Sequence, residues 1–212
     1  MMSREEGRKE QTRGKQSIQF SHAVHILSGA SIVGKKEGEG PLGKYFDVVG
    51  EEDGLFGCQC WEEAESVLQK EAVTMAIRKA KLEKWEIRTI YAGDLLAQTI
   101  ASSFGIIGFD IPVYGLYGAC ATMGEALSLS SMAVAAGYGN YVVAVTSSHY
   151  GSAEKEFRFP LGYGNQRPLS ASWTVTGSGA CILGRSGGKA RITGITTGKI
   201  IDYGLKDSLN MG

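Results

Sequence analysis

Apolar and polar residues alternate along this chain in two rhythms. Between Trp61 and Lys81 the apolar positions Ala64, Val67, Leu68, Ala72, Met75, Ala76 and Ala80 recur near three- and four-residue intervals, the spacing of one helix face. Glu62, Glu63 and Glu65 open this segment and Arg78, Lys79 and Lys81 close it, the order a helix dipole favours. The pattern predicts a helix over 61–81. Shorter apolar runs carry the strand signal. Tyr141 to Thr146 is a continuous apolar run, as in a strand covered on both faces. Residues 89–92 and 113–117 read as further strands, and 22–26 as a loosely alternating one. Residues 180–183 and 190–197 make the last two, joined through Gly184-Arg185-Ser186-Gly187-Gly188. Two more helices are expected over 95–104 and 121–136. The second is rich in small residues and nearly uncharged, which predicts burial on most of its sides. The glycine-rich, charged stretch 34–57 reads as a long loop. So does the polar stretch 147–172, interrupted by Pro160 and Pro168. Strands alternating with helices, then two strands in succession, predict an α/β fold with a mixed sheet.

Composition narrows the function classes. The chain has 212 residues, 43% of them hydrophobic, enough for a substantial core and too many for a disordered chain. Lys plus Arg and Asp plus Glu both number 22, so charge offers no argument for nucleic acid or an anionic membrane surface. Residues 1–17 are locally charged with alternating signs and read as a flexible tail ahead of one domain over 18–212. No apolar segment follows Met1, so no signal peptide is read. Ala126 to Ala153 lacks Asp, Glu, Lys and Arg, but Gly137-Tyr138-Gly139-Asn140 interrupts it. A buried helix, a turn and a buried strand fit it better than a membrane span. Cys58 and Cys60 are too close for an easy mutual bridge and no second pair has zinc spacing. Reduced thiols in a cytosolic compartment are expected.

Several motifs weaken in context. Gly38-Glu39-Gly40-Pro41-Leu42-Gly43 is a literal GxGxxG, but no apolar strand precedes it and no clear helix follows. As a phosphate loop it fails at Tyr45, where Ser or Thr is required. His22 and His25 lie in a strand and point to opposite faces, so no metal is expected there. Cys58-Gln59-Cys60 is read as exposed or half-buried thiols rather than a metal site.

Cys120 is different. It sits between small residues, Gly118-Ala119-Cys120-Ala121-Thr122, after an apolar strand and before a helix. A helix N-terminus supplies N–H donors and a dipole that favour a thiolate and can stabilise an oxyanion. The loop from Ser147 to Arg167 begins at the end of a buried strand, a usual place for function in an open sheet. It carries His149, Arg158 and Arg167 beside Tyr150, Phe157, Phe159 and Tyr163. Arginine can hold a carboxylate through two parallel hydrogen bonds, and aromatic rings can cover a flat ligand.

The Cys120 segment resembles the nucleophile segment of the thiolase superfamily. Further motifs narrow the likeness: Gly40-Pro41-Leu42-Gly43, Ala92-Gly93-Asp94-Leu95-Leu96-Ala97-Gln98, Thr146-Ser147-Ser148-His149, Phe157-Arg158-Phe159-Pro160, Tyr163-Gly164-Asn165-Gln166-Arg167-Pro168 and Thr174-Val175-Thr176-Gly177. From about Ser17 onward they resemble a sporulation branch of that superfamily in endospore-forming bacteria. The resemblance implies a thiolase-like, mixed, mostly parallel five-stranded sheet with helices on both faces, one half of a duplicated fold. It implies noncatalytic binding of dipicolinic acid, without cofactor or metal, during dipicolinate uptake into the developing spore. It places the protein peripherally on the cytoplasmic side of the forespore inner membrane, as a homodimer beside other proteins of the dipicolinate channel. Cys120 corresponds to the superfamily nucleophile. Ala119, His149 and Arg158 join it as expected ligand contacts, on loop placement and hydrogen-bonding chemistry. The half that supplies the superfamily's catalytic histidine is expected to be missing, so the chain alone should not run acyl transfer. Two alternatives stay open: a condensing-type acyltransferase using Cys120, and a structural half serving mainly for dimerisation through the 113–117 region.

Overall fold

The computed structural model describes residues 11–51, 54–157 and 174–206. One mixed sheet organises it, built from β1 (Thr12–Arg13), β2 (Ser17–Val33), β3 (Val48–Val49), β4 (Ile87–Gly93), β5 (Val113–Leu116), β6 (Tyr141–Ser148), β7 (Gly177–Gly184) and β8 (Ala190–Thr196). The spatial order of the central strands is β2-β7-β6-β4-β5. β4 pairs in parallel with β5 and β6, and β7 is antiparallel to both β6 and β2. Four of these five strands therefore run the same way, as expected of the core. β1, β3 and β8 add to it, all pairing with β2.

β2 is the reason the sheet has eight strands rather than five. It is 17 residues long, far beyond the expected 22–26, and shares its two edges among four partners. His25 pairs with Gly184 on one side and Arg191 on the other. A register shift between Ile26 and Ser28, and another between Gln19 and Val24, break its alternation. That is why only a fragment of the strand was legible as a period of two. The expected tail meets this sheet too: β1 pairs with the start of β2, so ordered chain begins ahead of residue 17.

Helices cover both faces. α1 is a single turn (Lys35–Gly38) within the expected 34–57 loop. α2 (Trp61–Ala80) and α3 (Ile100–Ile106) lie on one face. There Leu68, Ala72 and Ala76 pack with Ile90, Val143, Val145 and Ile182. α4 (Thr122–Ala136) lies on the other, where Ala126, Ala133 and Val134 meet Val142, Ala144 and Leu183. β6 thus buries Val142 and Ala144 toward α4, and Val143 and Val145 toward α2, the two-sided burial its apolar run predicts. The stretch 119–136 has the length and mean hydropathy, 1.2, of a membrane span, yet α4 packs on β2, β4, β6 and β7 as a core helix does. Its burial is one-sided, contrary to expectation: Leu127, Leu129 and Met132 are half-buried and Ala135 is exposed, because the sheet covers a single face of it.

Two boundaries differ from the expected ones. The helix expected over 95–104 starts at Ile100, because Gln98 and Thr99 hold left-handed φ of 60° and 52°. The Asp94 carboxylate stabilises that entry by accepting from the Leu96 and Ser102 N–H groups at 2.8 and 2.7 Å. The expected 147–172 loop opens with the end of β6 and then forms α5 (Tyr150–Phe157). Gly151 permits this: a Cβ there would lie 2.3 Å from the Trp61 ring of α2, so only glycine lets the two helices meet this closely.

Candidate functional site

Cys120 stands in a short 3-10 turn, Ala119–Ala121, that leads directly into α4. Ala119 has φ +47°, a left-handed conformation that costs a residue with a Cβ some strain. Thr122 holds the turn together. Its hydroxyl donates to the Ala119 carbonyl at 2.7 Å and accepts from the Gly118 N–H at 3.1 Å. Gly93 at the end of β4 lets α4 approach, since a Cβ would lie 2.3 Å from Thr122 Cγ2 and 2.5 Å from the Leu116 carbonyl oxygen. Ala119 and Cys120 are both exposed.

Both residues border a cleft of about 560 Å³, within the roughly 300–1,000 Å³ of small-molecule sites. It opens at the carboxyl ends of β4 and β6, where open α/β sheets place ligands. Its wall combines apolar groups, Val33, Leu95 and Met123, with the hydroxyl residues Thr146, Ser148 and Ser178 and the carboxylate residue Asp94. Ser148 and Ser178 use their hydroxyls on backbone carbonyls, of Val175 at 2.6 Å and Thr146 at 2.9 Å, which fixes the rim.

The other expected contacts separate from this pair. His149 is buried and is absent from the cleft wall. Its Nδ1 accepts from the Gly151 N–H at 3.0 Å, which leaves Nε2 to donate to the Gly54 carbonyl at 2.6 Å. Both ring nitrogens are thus committed to backbone. Arg158 lies outside the described residues, as do Arg167 and the motif 163–168. β5, the expected dimer edge, is an edge strand with Val113 and Tyr114 exposed; the Tyr114 ring stacks on Tyr91 with centroids 5.1 Å apart.

Beneath the cleft lies a buried polar cluster that the sequence reading did not find. Glu65 and Gln69 of α2 have no exposed surface. The Glu65 carboxylate accepts from Ser147 Oγ at 3.0 Å and Ser152 Oγ at 2.8 Å. Gln69 Nε2, with two hydrogens to give, lies 3.1, 3.1 and 3.2 Å from Ser147 Oγ, Ser102 Oγ and the Gly93 carbonyl. Ser102 Oγ donates to Asp94 at 2.6 Å. Burial, reinforced by the negative charge of Asp94, pushes the Glu65 carboxyl up to about 7. The available signal was positional. Glu65 and Gln69 are four residues apart, on the same side as Leu68, Ala72 and Ala76, a polar pair set into an apolar stripe.

With an exposed cysteine at the head of a helix packed on a mixed sheet, the fold is thiolase-like. Solved structures agree in fold. A Glu-to-Gln variant of Xanthomonas campestris OleA bound with cerulenin matches with TM-score 0.53 at 14% identity, over 79% of this chain and 57% of that one. A His-to-Asn variant of OleA gives 0.52 at 11%, over 79% and 57%. The family model of stage V sporulation protein AD matches residues 14–212, and the chain belongs to that family of sporulation proteins. Stage V sporulation protein AD of Bacillus subtilis (strain 168) is 39% identical over 201 residues, which cover 94% of this chain and 59% of the relative. The chain therefore spans under two thirds of that relative's length.

Proposed function

We propose that this chain is a noncatalytic binding protein for dipicolinic acid that takes part in dipicolinate uptake into the developing spore. The observation that carries the reading is the cleft at Ala119 and Cys120. It is large enough for a small planar ligand, walled by apolar faces, hydroxyls and Asp94, whose carboxylate is occupied by Leu96 and Ser102, and headed by the N-terminus of a 15-residue helix. The positive end of the helix dipole there suits a carboxylate. Dipicolinate, a flat pyridine ring with two carboxylates, fits that combination of a slot and donors. Ala119 and Cys120 touch the ligand. Arg158 supplies the two-pronged grip on a carboxylate, and His149 acts at one remove by holding the Gly54 segment. The protein works as a homodimer paired along β5, peripherally on the cytoplasmic side of the forespore inner membrane, with other proteins of the dipicolinate channel.

Calorimetry of dipicolinate with the purified chain tests this, with Cys120→Ala beside it. Saturable binding is expected, weakened in the variant by roughly 1 kcal/mol, about fivefold. A folded chain that binds no dipicolinate would sink the reading. A second reading, acyl transfer through Cys120, is favoured by the exposed thiol at the superfamily's nucleophile position. A mass increase localised to Cys120 after incubation with an acyl-CoA would favour it over simple binding.

A further inference from the structure

Ser147 belongs to two environments. It lines the cleft, while its hydroxyl donates to Glu65 Oε1 at 3.0 Å and faces the donor Gln69 Nε2 at 3.1 Å. A serine hydroxyl has one proton and two lone pairs. With Glu65 ionised, that proton is committed to the carboxylate and none is left for an anion in the cleft. With Glu65 protonated on Oε1, the carboxyl O–H donates to Ser147. Together with Gln69 it fills both lone pairs, and the serine proton is freed from the carboxylate.

We propose that Glu65, acting through Ser147, is a proton-linked positioning residue of the cleft: a proton taken up by Glu65 releases the Ser147 hydroxyl to donate to a bound anion. Binding and protonation then favour each other by the same factor. The proposal rests on the reading of the cleft as a carboxylate site.

Glu65 is surrounded by hydroxyls, like charges and apolar groups. From α5, Ser152 Oγ donates to its second oxygen at 2.8 Å and lies 3.1 Å from the His149 carbonyl, its alternative acceptor. From the segment after β4, Asp94 adds negative charge, as does Glu62 one turn back on α2. Glu62 is itself paired with Lys155 of α5 at 2.7 Å. Next to Ser152, the ring nitrogens of His149 are both bonded to backbone. β2 and β7 present Ala30, Ile32, Ala180 and Ile182 to α2. No described cation touches the Glu65 carboxylate, and the proton exchanges near neutrality.

Dipicolinate stays doubly ionised between about pH 6 and pH 8, so its affinity over that range reports on the protein. Calorimetry on the 212-residue chain should give affinity about tenfold weaker at the upper end, with uptake of a proton on binding. Glu65→Gln keeps a donor toward Ser147, so it should bind with the tighter affinity at both ends. Ser147→Ala should bind more weakly and lose the pH slope. Binding that is flat with pH, or a slope that survives in Glu65→Gln, would overturn the positioning role and leave the dipicolinate reading intact. No binding by any of the three proteins would overturn both. A carbon NMR titration, with Glu65→Gln identifying the resonance, checks the switch without ligand. A Glu65 midpoint in the ordinary carboxylate range would also overturn it.

Discussion

Replacing Leu68 by alanine is expected to lower the unfolding free energy by about 2–5 kcal/mol, the range for emptying a large aliphatic side chain out of a packed core. Leu68 sits at the middle of the buried stripe of α2 and is 1% exposed. It packs in the cluster with Ile32, Ile90, Val143 and Ile182, which come from four different strands. Those strands are tied by the sheet ladder, so they cannot close over the lost volume as a loop would. A domain of this size has about 5–15 kcal/mol in total, so the change consumes a large share of it. Denaturant titration of wild type and variant measures it directly, with exposed Lys70→Ala as the reference expected within about 0.5 kcal/mol of wild type. A shift below about 1 kcal/mol for Leu68→Ala would mean that α2 does not hold this core in solution.

The second large effect is a pH dependence of stability set by Glu65. Burial raises its carboxyl from the ordinary 4.5 to about 7 in the fold. Between these values the folded chain holds a proton that the unfolded chain has released. Stability from this group is therefore complete below about pH 4.5 and is lost as pH rises through about 7. The difference amounts to about 3 kcal/mol, at 1.36 kcal/mol for each unit. Asp47 and Glu62 shift the other way, through hydrogen bonds and charge from Lys79 and Lys155 against their own desolvation. The clean observable is thus the gap between wild type and Glu65→Gln. Thermal unfolding from about pH 4 to pH 8 should show that gap moving against the wild type by about 3 kcal/mol, most of it between pH 5 and pH 7.5. A gap constant with pH would place the Glu65 carboxyl in contact with water.

The parts of this fold that were legible in the sequence are those whose causes are local. The α2 stripe was visible because Ala64, Leu68, Ala72 and Ala76, all buried, lie within one helix and obey one period. Cys120 was visible because a strand, small residues and a helix meet within a few positions. What stayed hidden depends on partners far along the chain. The ring of His149 is engaged by the carbonyl of Gly54, 95 residues away, and no local pattern distinguishes such a histidine from a ligand contact. Gly151 looks like a loop glycine until Trp61, ninety positions earlier, is packed against it. Glu65 has an ordinary place in the acidic first turns of a helix. Only the hydroxyls of Ser147 and Ser152 make it a buried acid.

The edges of β2 also govern how the chain can reach this fold. Ser17 pairs with Thr196, and their hydroxyls meet at 2.8 Å across a separation of 179 residues. β2 leaves the ribosome well before β7 and β8, which follow it by more than a hundred residues. Such remote pairings slow folding, because the intervening chain must be closed before they contribute. Until then a long strand with both edges open persists in the nascent chain, the kind of surface on which intermediates aggregate and which chaperones shield.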